Sequence, residues 1–173
     1  MIHLRNFIRD VPDFPKPGIL FKDITPLLAN ASSLALAVEV LCNPFRDSGI
    51  QAVVGAESRG FIFGTAIAQA LSCGFVPVRK PGKLPAAKRS LTYDLEYGKD
   101  TLEIHSDAIK PGERCLIVDD LLATGGTMQA CCDLVEALGG NIVGIAVLIE
   151  LTFLKARPRF QKYHLHSAIK YDS

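Results

Sequence analysis

The stretch CLIVDDLLATGGT, from Cys115 to Thr127, runs from apolar residues into two adjacent aspartates and then into glycines flanked by threonines. A continuous apolar run of this kind is typical of a strand that is buried on both faces of a sheet. Asp119 and Asp120 lie at the end of that strand. Because ionised neighbours repel and are costly to bury alone, they predict a bound partner, either a divalent cation or a sugar with two adjacent hydroxyls.

The loop that follows the acidic pair, residues 123–127, has the composition of a phosphate-binding loop. Glycines let the backbone approach a ligand and turn its N–H groups inward, and the start of the next helix adds partial positive charge. The spacing is not that of a Walker loop. A glycine-rich turn without a ligand is the alternative for this loop alone, but together with Asp119 and Asp120 it fits the two ends of a ribose 5-phosphate.

Short apolar segments alternate with helical patterns along the rest of the chain, which predicts an α/β fold with a Rossmann-like parallel sheet flanked by helices. A helix is expected to begin after Asn30 or Ser32, capped by Ser32 or Ser33. The polar and apolar alternation over 90–105, around Gly98, predicts an antiparallel hairpin or flap. The strands are predicted at 51–56, 73–78, 114–120, 141–151 and 164–169, with helices from about residue 61 and over about 126–138.

Composition narrows the class of protein. The formal net charge is +1 over 173 residues, which gives no reason to expect nucleic acid or an anionic membrane as a partner. No segment has the apolar length of a signal peptide or a membrane span. The five cysteines form no C-x-x-C pair, which is typical of buried thiols in a reducing cytoplasm. We therefore expect one cytoplasmic domain that spans residues 1–173.

Two further loops are expected to open on the same crevice, because ligands bind beyond the carboxyl ends of parallel strands. The first is ESRG, residues 57–60, in which Arg59 suits an oxyanion. The second is RKPGK, residues 79–83, for which a solvated basic loop is the alternative. Two such loops opposite one phosphate site predict a ligand with a second anionic group, and pyrophosphate fits.

The stretch from Cys115 to Thr127 resembles the phosphoribosyl pyrophosphate (PRPP) signature of the type I phosphoribosyltransferases. Further stretches resemble the adenine phosphoribosyltransferase family, in the family's order, from about residue 7 to the C-terminus. They are FPKPGILFKDITPLL (14–28), GAESRGFIFG (55–64), RKPGKLP (79–85), LEYGKDTLEIH (95–105) and LIELTFLKAR (148–157).

The resemblance implies a reaction in which adenine and PRPP give AMP and pyrophosphate. It also implies a homodimer, and Mg²⁺ that is carried by PRPP with no direct protein ligand. Asp119 and Asp120 would face the ribose hydroxyls. The 5-phosphate would be held by Ala123, Thr124, Gly125, Gly126 and Thr127.

The adenine site is implied by the same resemblance. An N-terminal hood of about residues 1–30 would carry Phe21, which would stack on the base while the main chain of Leu20 and Lys22 reads its edge. Leu151 would pack on the other face of the base. From the residues alone, a hydrophobic plug within the hood is the alternative role for Phe21.

Three residues are implied as catalytic. Arg59 and Lys83 would meet the pyrophosphate, and Glu96, in a flexible flap of about residues 85–105, would handle a proton of the purine ring. From its position alone, a solvated flap residue is the alternative role for Glu96. The flap begins with Lys88 and Arg89, which makes it more basic than in many relatives, and these two side chains are either solvated or act on flap closure.

Other functions share some of these features. A phosphate-accepting receiver domain also has paired acids beyond a strand, but its acids lie near the start of the chain. A non-catalytic PRPP-sensing regulator keeps the fold and usually adds a DNA-binding domain. A phosphoribosyltransferase for hypoxanthine, guanine, xanthine or orotate would share the ribose and phosphate residues, so only the hood and the LEYG stretch favour adenine.

Overall fold

A computed structural model describes residues 3–94 and 98–173. The chain divides after Val40 into two compact units, with the last two residues of the second helix counted in the C-terminal unit. The N-terminal unit holds an antiparallel hairpin and two helices. Its elements are a 3₁₀ turn (Leu4–Phe7), β1 (Arg9–Pro12), β2 (Leu20–Asp23), α1 (Thr25–Ala29) and α2 (Ala31–Cys42).

The start of α2 differs in detail from the sequence prediction. The helix begins directly after Asn30, as predicted, and the Asn30 side-chain oxygen accepts the N–H of Ser33 at 3.0 Å. Asn30 is therefore the cap, and the predicted capping by Ser32 or Ser33 is wrong. The reason is that Ser33 is buried inside the unit, where its hydroxyl donates to the carbonyl oxygen of Leu27 at 2.9 Å.

The C-terminal unit is built on a five-stranded parallel sheet, which confirms the predicted fold class. The strand order is β4-β3-β7-β8-β9. The elements are β3 (Ala52–Ala56), α3 (Gly60–Ala70), β4 (Gly74–Val78), β5 (Lys88–Asp94), β6 (Lys99–His105), β7 (Arg114–Leu122), α4 (Gly126–Ala137), β8 (Asn141–Leu151) and β9 (His164–Tyr171), with 3₁₀ turns at Asn43–Phe45, Thr152–Leu154 and Arg157–Phe160.

Strand β7 is longer than predicted. It continues through both aspartates to Leu122, because Asp119 and Leu122 pair with Val147 and Glu150 of β8. The carboxylates therefore project from a strand that is hydrogen-bonded to its neighbour, and the strand fixes their position. Leu122 is buried, in keeping with the packing role of a leucine before a loop.

The sheet is covered on both faces, because its strands send alternate side chains to opposite sides. On one face Val54, Ile117 and Ile145 join a buried cluster with residues of α4. Helix α3 packs against β3, β4 and β7 on the face to which Leu116 points. The predicted pattern of apolar strands buried on two sides is therefore confirmed.

The predicted flap is an antiparallel hairpin of β5 and β6. The pairs run from Lys88 opposite His105 to Asp94 opposite Lys99, and Gly98 has a φ of 92°. Leu102 and Ile104 anchor the hairpin, since both are buried in the same cluster as α4. Residues 95–97 of the hairpin lie outside the described residues.

All five cysteines carry free thiols, and four of them are buried. Burial raises the pKa of the Cys115 and Cys132 thiols to about 12. In the part of the chain that the structure describes, no helix has both the length and the hydropathy needed to cross a bilayer.

Gly144 of β8 is tightly packed against its neighbours. A Cβ at this position would lie 2.3 Å from the Phe45 ring and 2.9 Å from the carbonyl oxygen of His164. Because that backbone cannot move without breaking the pairing of β8 with β9, we expect Gly144→Ala to lower the free energy of unfolding by roughly 2–3 kcal/mol. Urea unfolding measures this change.

The matched control is Gly74→Ala in β4, where an added Cβ would meet nothing within 4 Å. Its effect is expected to stay below about 1 kcal/mol. Equal urea midpoints for the two variants would contradict the packing at Gly144.

Candidate active site

The loops that follow β3 and β7 meet at one cavity. These strands are neighbours, but the chain runs from β3 outward to β4 before it returns to β7, so this edge is the topological switch point at which α/β sheets bind ligands. The cavity has a volume of about 380 Å³. It is lined by residues 57–59 and 119–128.

The acidic pair lines this cavity and is partly neutralised within the protein. Asp120 is buried, and its Oδ2 lies 2.6 Å from Nε of Arg59. Asp119 Oδ1 accepts the N–H of Asp120 at 2.9 Å. Burial, together with the charge of Asp120, raises the pKa of Asp119 well above its ordinary value. The sheet thus holds a carboxylate whose charge is poorly compensated by protein groups.

The start of α3 lies close to the same carboxylates. A Cβ on Gly60 would come within 3.1 Å of Asp119 Oδ1. Arg59 precedes this helix, and its side chain is 43% exposed. It therefore joins the ESRG loop to the acidic pair while remaining accessible from the cavity.

The phosphate loop has a fixed backbone. Gly125 has a φ of 87°, and a Cβ there would meet the Phe160 ring at 3.0 Å, so both conformation and space require glycine. Arg159 Nη1 donates to the carbonyl oxygen of Thr124 at 3.0 Å. The 3₁₀ turn Arg157–Phe160 therefore supports the loop through contacts at two of its residues.

That supporting turn is itself held by an ion pair between the buried Glu150 and the partly exposed Arg157. Glu150 of β8 is 2% exposed and accepts from Arg157 at 2.9 and 2.5 Å. The Ser167 hydroxyl donates to the same carboxylate at 2.6 Å. A charge-assisted network of this kind fixes the turn, and through it the phosphate loop, to the end of the sheet.

Helix α4 begins at Gly126 and points its N-terminus into the cavity, since Gly125, Gly126 and Thr127 all line it. The first N–H groups of a helix lack partners within the helix and carry partial positive charge. The loop and this twelve-residue helix together form a site for an anion, and phosphate is the anion that such sites most often bind.

The basic loop after β4 is tied to the ESRG loop. Glu57 accepts the N–H of Lys80 at 3.0 Å and pairs with Arg79 at 3.2 Å. These contacts, the first of them most strongly, lower the pKa of Glu57. Lys80 also forms an ion pair with Asp100 of the flap. Two of the loop's cations are therefore engaged with carboxylates, contrary to a freely solvated basic loop.

A buried carboxylate shapes the remainder of the basic loop. Glu103 of β6 accepts the Gly82 N–H at 3.2 Å and the Ser90 hydroxyl at 3.0 Å. Lys88 lies 3.7 Å from Glu103 and donates to the carbonyl oxygen of Leu84 at 3.3 Å. Lys88 therefore contacts the base of the flap, although both Lys88 and Arg89 are exposed.

Comparison with known proteins places this cavity in context. Residues 27–172 match the family model described as a phosphoribosyl transferase domain. An adenine phosphoribosyltransferase of Rhodopirellula baltica is 56% identical over 168 residues, which cover 97% of this chain and 82% of the relative. The chain belongs to the adenine phosphoribosyltransferase family.

Solved structures of family members share the fold. The crystal structure of adenine phosphoribosyltransferase from Rhodothermus marinus is 54% identical, with a TM-score of 0.93 and coverage of 97% of this chain and 96% of that one. The enzyme from Giardia lamblia, solved in complex with 9-deazaadenine, is 38% identical, with a TM-score of 0.92 and coverage of 98% and 97%.

The structure brings together all seven residues that the sequence predicted for the ribose 5-phosphate, and with them Arg59, one of the two residues predicted for the pyrophosphate. Arg59, Asp119 and Asp120 line the cavity together with residues 123–127. Lys83 does not line it. The Lys83 side chain is exposed in the basic loop, and its charge contributes to the low pKa of Glu57.

The residues predicted for adenine lie on two separate strands, β2 and β8. Leu151 is the last residue of β8 and is partly exposed. Phe21 lies on β2 in the N-terminal unit, with its ring edge-on to Phe14 at 5.0 Å. Its neighbour Leu20 is 47% exposed, and Lys22 pairs with Asp10 at 2.7 Å.

Glu96, predicted as the catalytic flap residue, lies outside the described residues. Several residues that organise the phosphoribosyltransferase site were not predicted from the sequence. Their hydrogen-bond partners lie 7 to 35 residues away along the chain, so no local pattern reveals them. These residues are Glu57, Tyr93, Asp100, Glu103, Glu150, Arg157 and Arg159.

The raised pKa of Asp119 makes stability depend on pH. Asp119 is protonated in both states at acidic pH, and its cost to the fold grows as pH rises above the unfolded value of 3.8. We expect Asp119→Asn to raise the free energy of unfolding at pH 7 by roughly 1 kcal/mol or more, and to have little effect near pH 4. Urea unfolding at the two pH values measures the difference.

Asp133→Asn on α4 is the control, because this carboxylate accepts from Gln129 at 2.8 Å outside the cavity. If the Asp119→Asn protein is no more stable than this control at pH 7, the charge of Asp119 does not destabilise the fold and the interpretation is wrong.

Proposed function

We propose that this chain transfers the 5-phosphoribosyl group from PRPP to adenine, giving AMP and pyrophosphate in purine salvage. The observation that carries the proposal is that the acidic pair and the phosphate loop line one cavity of about 380 Å³. That arrangement suits a ribose bearing a 5-phosphate. The names of the relatives, all adenine phosphoribosyltransferases at 52–56% identity, support adenine as the base.

Binding in this cavity would orient the sugar for substitution at C1. The phosphate loop and the start of α4 hold the 5-phosphate, while Asp119 and Asp120 accept hydrogen bonds from the ribose hydroxyls. As pyrophosphate leaves, C1 gains positive character, which the nearby carboxylates stabilise. The unfavourable charge of Asp119 in the free protein is then compensated by the substrate, and holding the reactants in place supplies much of the remaining acceleration.

Arg59 and Lys83 would bind the pyrophosphate group, with Arg59 reaching it from the start of α3. Mg²⁺ would be carried by PRPP without a direct protein ligand, and Asp119 and Asp120 would place oxygen atoms, the donor type that Mg²⁺ prefers, near it. Among residues 3–94 and 98–173 no cluster of three potential metal ligands occurs. When bound, Mg²⁺ neutralises part of the negative charge on the diphosphate.

The base would be held by the hood and by the end of β8. Phe21 stacks on adenine, the main chain of Leu20 and Lys22 reads its edge, and Leu151 packs on its other face. Glu96 handles the proton on the purine ring, and the flap excludes water from the reacting centre.

We further propose that the chain forms one phosphoribosyltransferase domain over residues 1–173 and works as a cytoplasmic homodimer. The match to the family model over 27–172 supports a single domain. Free thiols at all five cysteines suit a reducing compartment.

The proposal is tested by incubating the protein with PRPP and Mg²⁺ and one base at a time: adenine, hypoxanthine, guanine, xanthine or orotate. AMP formation from adenine alone is the expected result, detected by chromatography. The double variant Asp119→Asn/Asp120→Asn is expected to lose activity by several orders of magnitude while it remains folded. A nucleotide formed from another base would assign the protein as a different phosphoribosyltransferase. No nucleotide from any of the bases would favour a non-catalytic regulator.

Arg59 gives a second test, because only PRPP carries the group that it would bind. We expect Arg59→Ala to weaken PRPP binding by roughly 10- to 100-fold, the value of a charge-assisted contact, and AMP binding far less. Isothermal titration with each ligand measures both affinities. Arg46→Ala, an exposed arginine before β3, is the matched control. Equal losses for PRPP and AMP would show that Arg59 acts elsewhere.

A further inference from the structure

Tyr93 of the flap lies directly over the phosphate loop. Its hydroxyl is 3.2 Å from the Thr127 hydroxyl, and a Cβ on Gly126 would lie 3.4 Å from the Tyr93 ring. The ring also packs against the buried cluster beneath the sheet. The flap is thus in contact with the residues that form the anion site at the start of α4.

The same hydroxyl reaches a second group. It lies 3.4 Å from Asp100 Oδ2, and this carboxylate pairs with the ammonium group of Lys80. Burial opposes ionisation of Asp100, but the contacts from Lys80, the Thr101 N–H and the Tyr93 hydroxyl together outweigh it and lower the Asp100 pKa. The backbone N–H of Lys80 in turn donates to Glu57, which lines the cavity.

These contacts form a continuous series that connects the loops of the site. It begins at the phosphate loop with Thr127, passes through Tyr93 and Asp100, and reaches the basic loop at Lys80. From Lys80 it returns to the ESRG loop. Its two ends therefore correspond to the two ends of PRPP, the 5-phosphate and the pyrophosphate.

We propose that Tyr93 is a positioning residue that couples occupancy of the phosphate loop to the arrangement of the basic loop. The proposal rests on the proposed function, since it takes Thr127 as a ligand of the 5-phosphate.

The coupling follows from which hydroxyl protons are available for hydrogen bonding in this series of contacts. A phenol has one proton to donate, and it can go to Asp100 or to Thr127. With the phosphate loop empty, the Thr127 hydroxyl can donate to Tyr93, and Tyr93 then donates to Asp100. A bound phosphate dianion only accepts, so the Thr127 hydroxyl donates its hydrogen bond to the phosphate, and the Tyr93 hydroxyl donates to the Thr127 oxygen. Asp100 Oδ2 then keeps Lys80 as its partner, while Oδ1 still accepts the Thr101 N–H, and the stronger pairing with Lys80 holds the basic loop more firmly.

The test uses ribose 5-phosphate and pyrophosphate, which occupy the two ends of the site without reacting. Isothermal titration measures the dissociation constant of pyrophosphate with Mg²⁺, with and without saturating ribose 5-phosphate. The ratio of the two constants is the coupling, and it must be the same when the titrations are reversed. In the wild-type protein we expect tighter pyrophosphate binding when ribose 5-phosphate is present, by about 5-fold or more.

Tyr93→Phe keeps the ring over Gly126 and removes only the hydroxyl. We expect it to reduce the ratio to nearly one while either ligand alone binds with close to wild-type affinity. Asp100→Asn, which removes the charge that pairs with Lys80, is expected to reduce the same ratio. Tyr163→Phe is the matched control, because its hydroxyl bonds to Glu136 at 2.6 Å outside the cavity, and it should keep the wild-type ratio.

The outcomes separate this inference from the proposed function. A wild-type ratio of one, or a Tyr93→Phe ratio equal to that of Tyr163→Phe, would overturn the role of Tyr93 while the transferase assay stands. Failure of the wild-type protein to bind either ligand, together with no AMP formation, would instead overturn the proposed function.

Discussion

Two carboxylates held side by side in a hydrogen-bonded strand are the constraint on which this site depends. Strand β7 fixes Asp119 and Asp120 by pairing with β8, and the protein compensates the two charges unequally. Asp120 has Arg59 at 2.6 Å, whereas Asp119 has chiefly a backbone N–H and the start of a helix. Stability alone would favour a neutral group at position 119. The fold retains a group that becomes favourable once a sugar with two hydroxyls is bound, as expected where function and stability conflict.

The parts around this pair differ in how firmly they are held. The phosphate loop rests on a turn that is fixed by the partly buried network of Glu150, Arg157 and Ser167, so the anion site is formed before a ligand arrives. The flap reaches the same loop through the Tyr93 hydroxyl, and its contacts to the basic loop are mostly polar and partly exposed. A preformed phosphate site beneath a flap that is held by polar contacts suits a reaction in which the ribose 5-phosphate stays bound while pyrophosphate leaves.

Much of the C-terminal unit could be predicted from the sequence, because its strands are apolar runs that end at recognisable loops. The acidic pair and residues 123–127 were predicted on the same physical grounds, and the structure places them together with Arg59. The hairpin of β1 and β2 could not be predicted, since prolines and turns obscure its short strands. Pairings such as Glu57 with Arg79 span 22 residues and leave no local pattern. The roles of all these site residues, Glu96 and Lys83 included, remain predictions.

The helix that presents its start to the cavity also carries two adjacent thiols. Cys131 and Cys132 are 1% and 0% exposed, and burial raises the pKa of each, so neither is a ready nucleophile. Cys73, at the edge of the unit before β4, is only partly buried. An alkylating reagent should therefore modify Cys73 first and reach the α4 pair only when the helix separates from the sheet. The rate of that slower modification would report how often α4 opens transiently from the sheet.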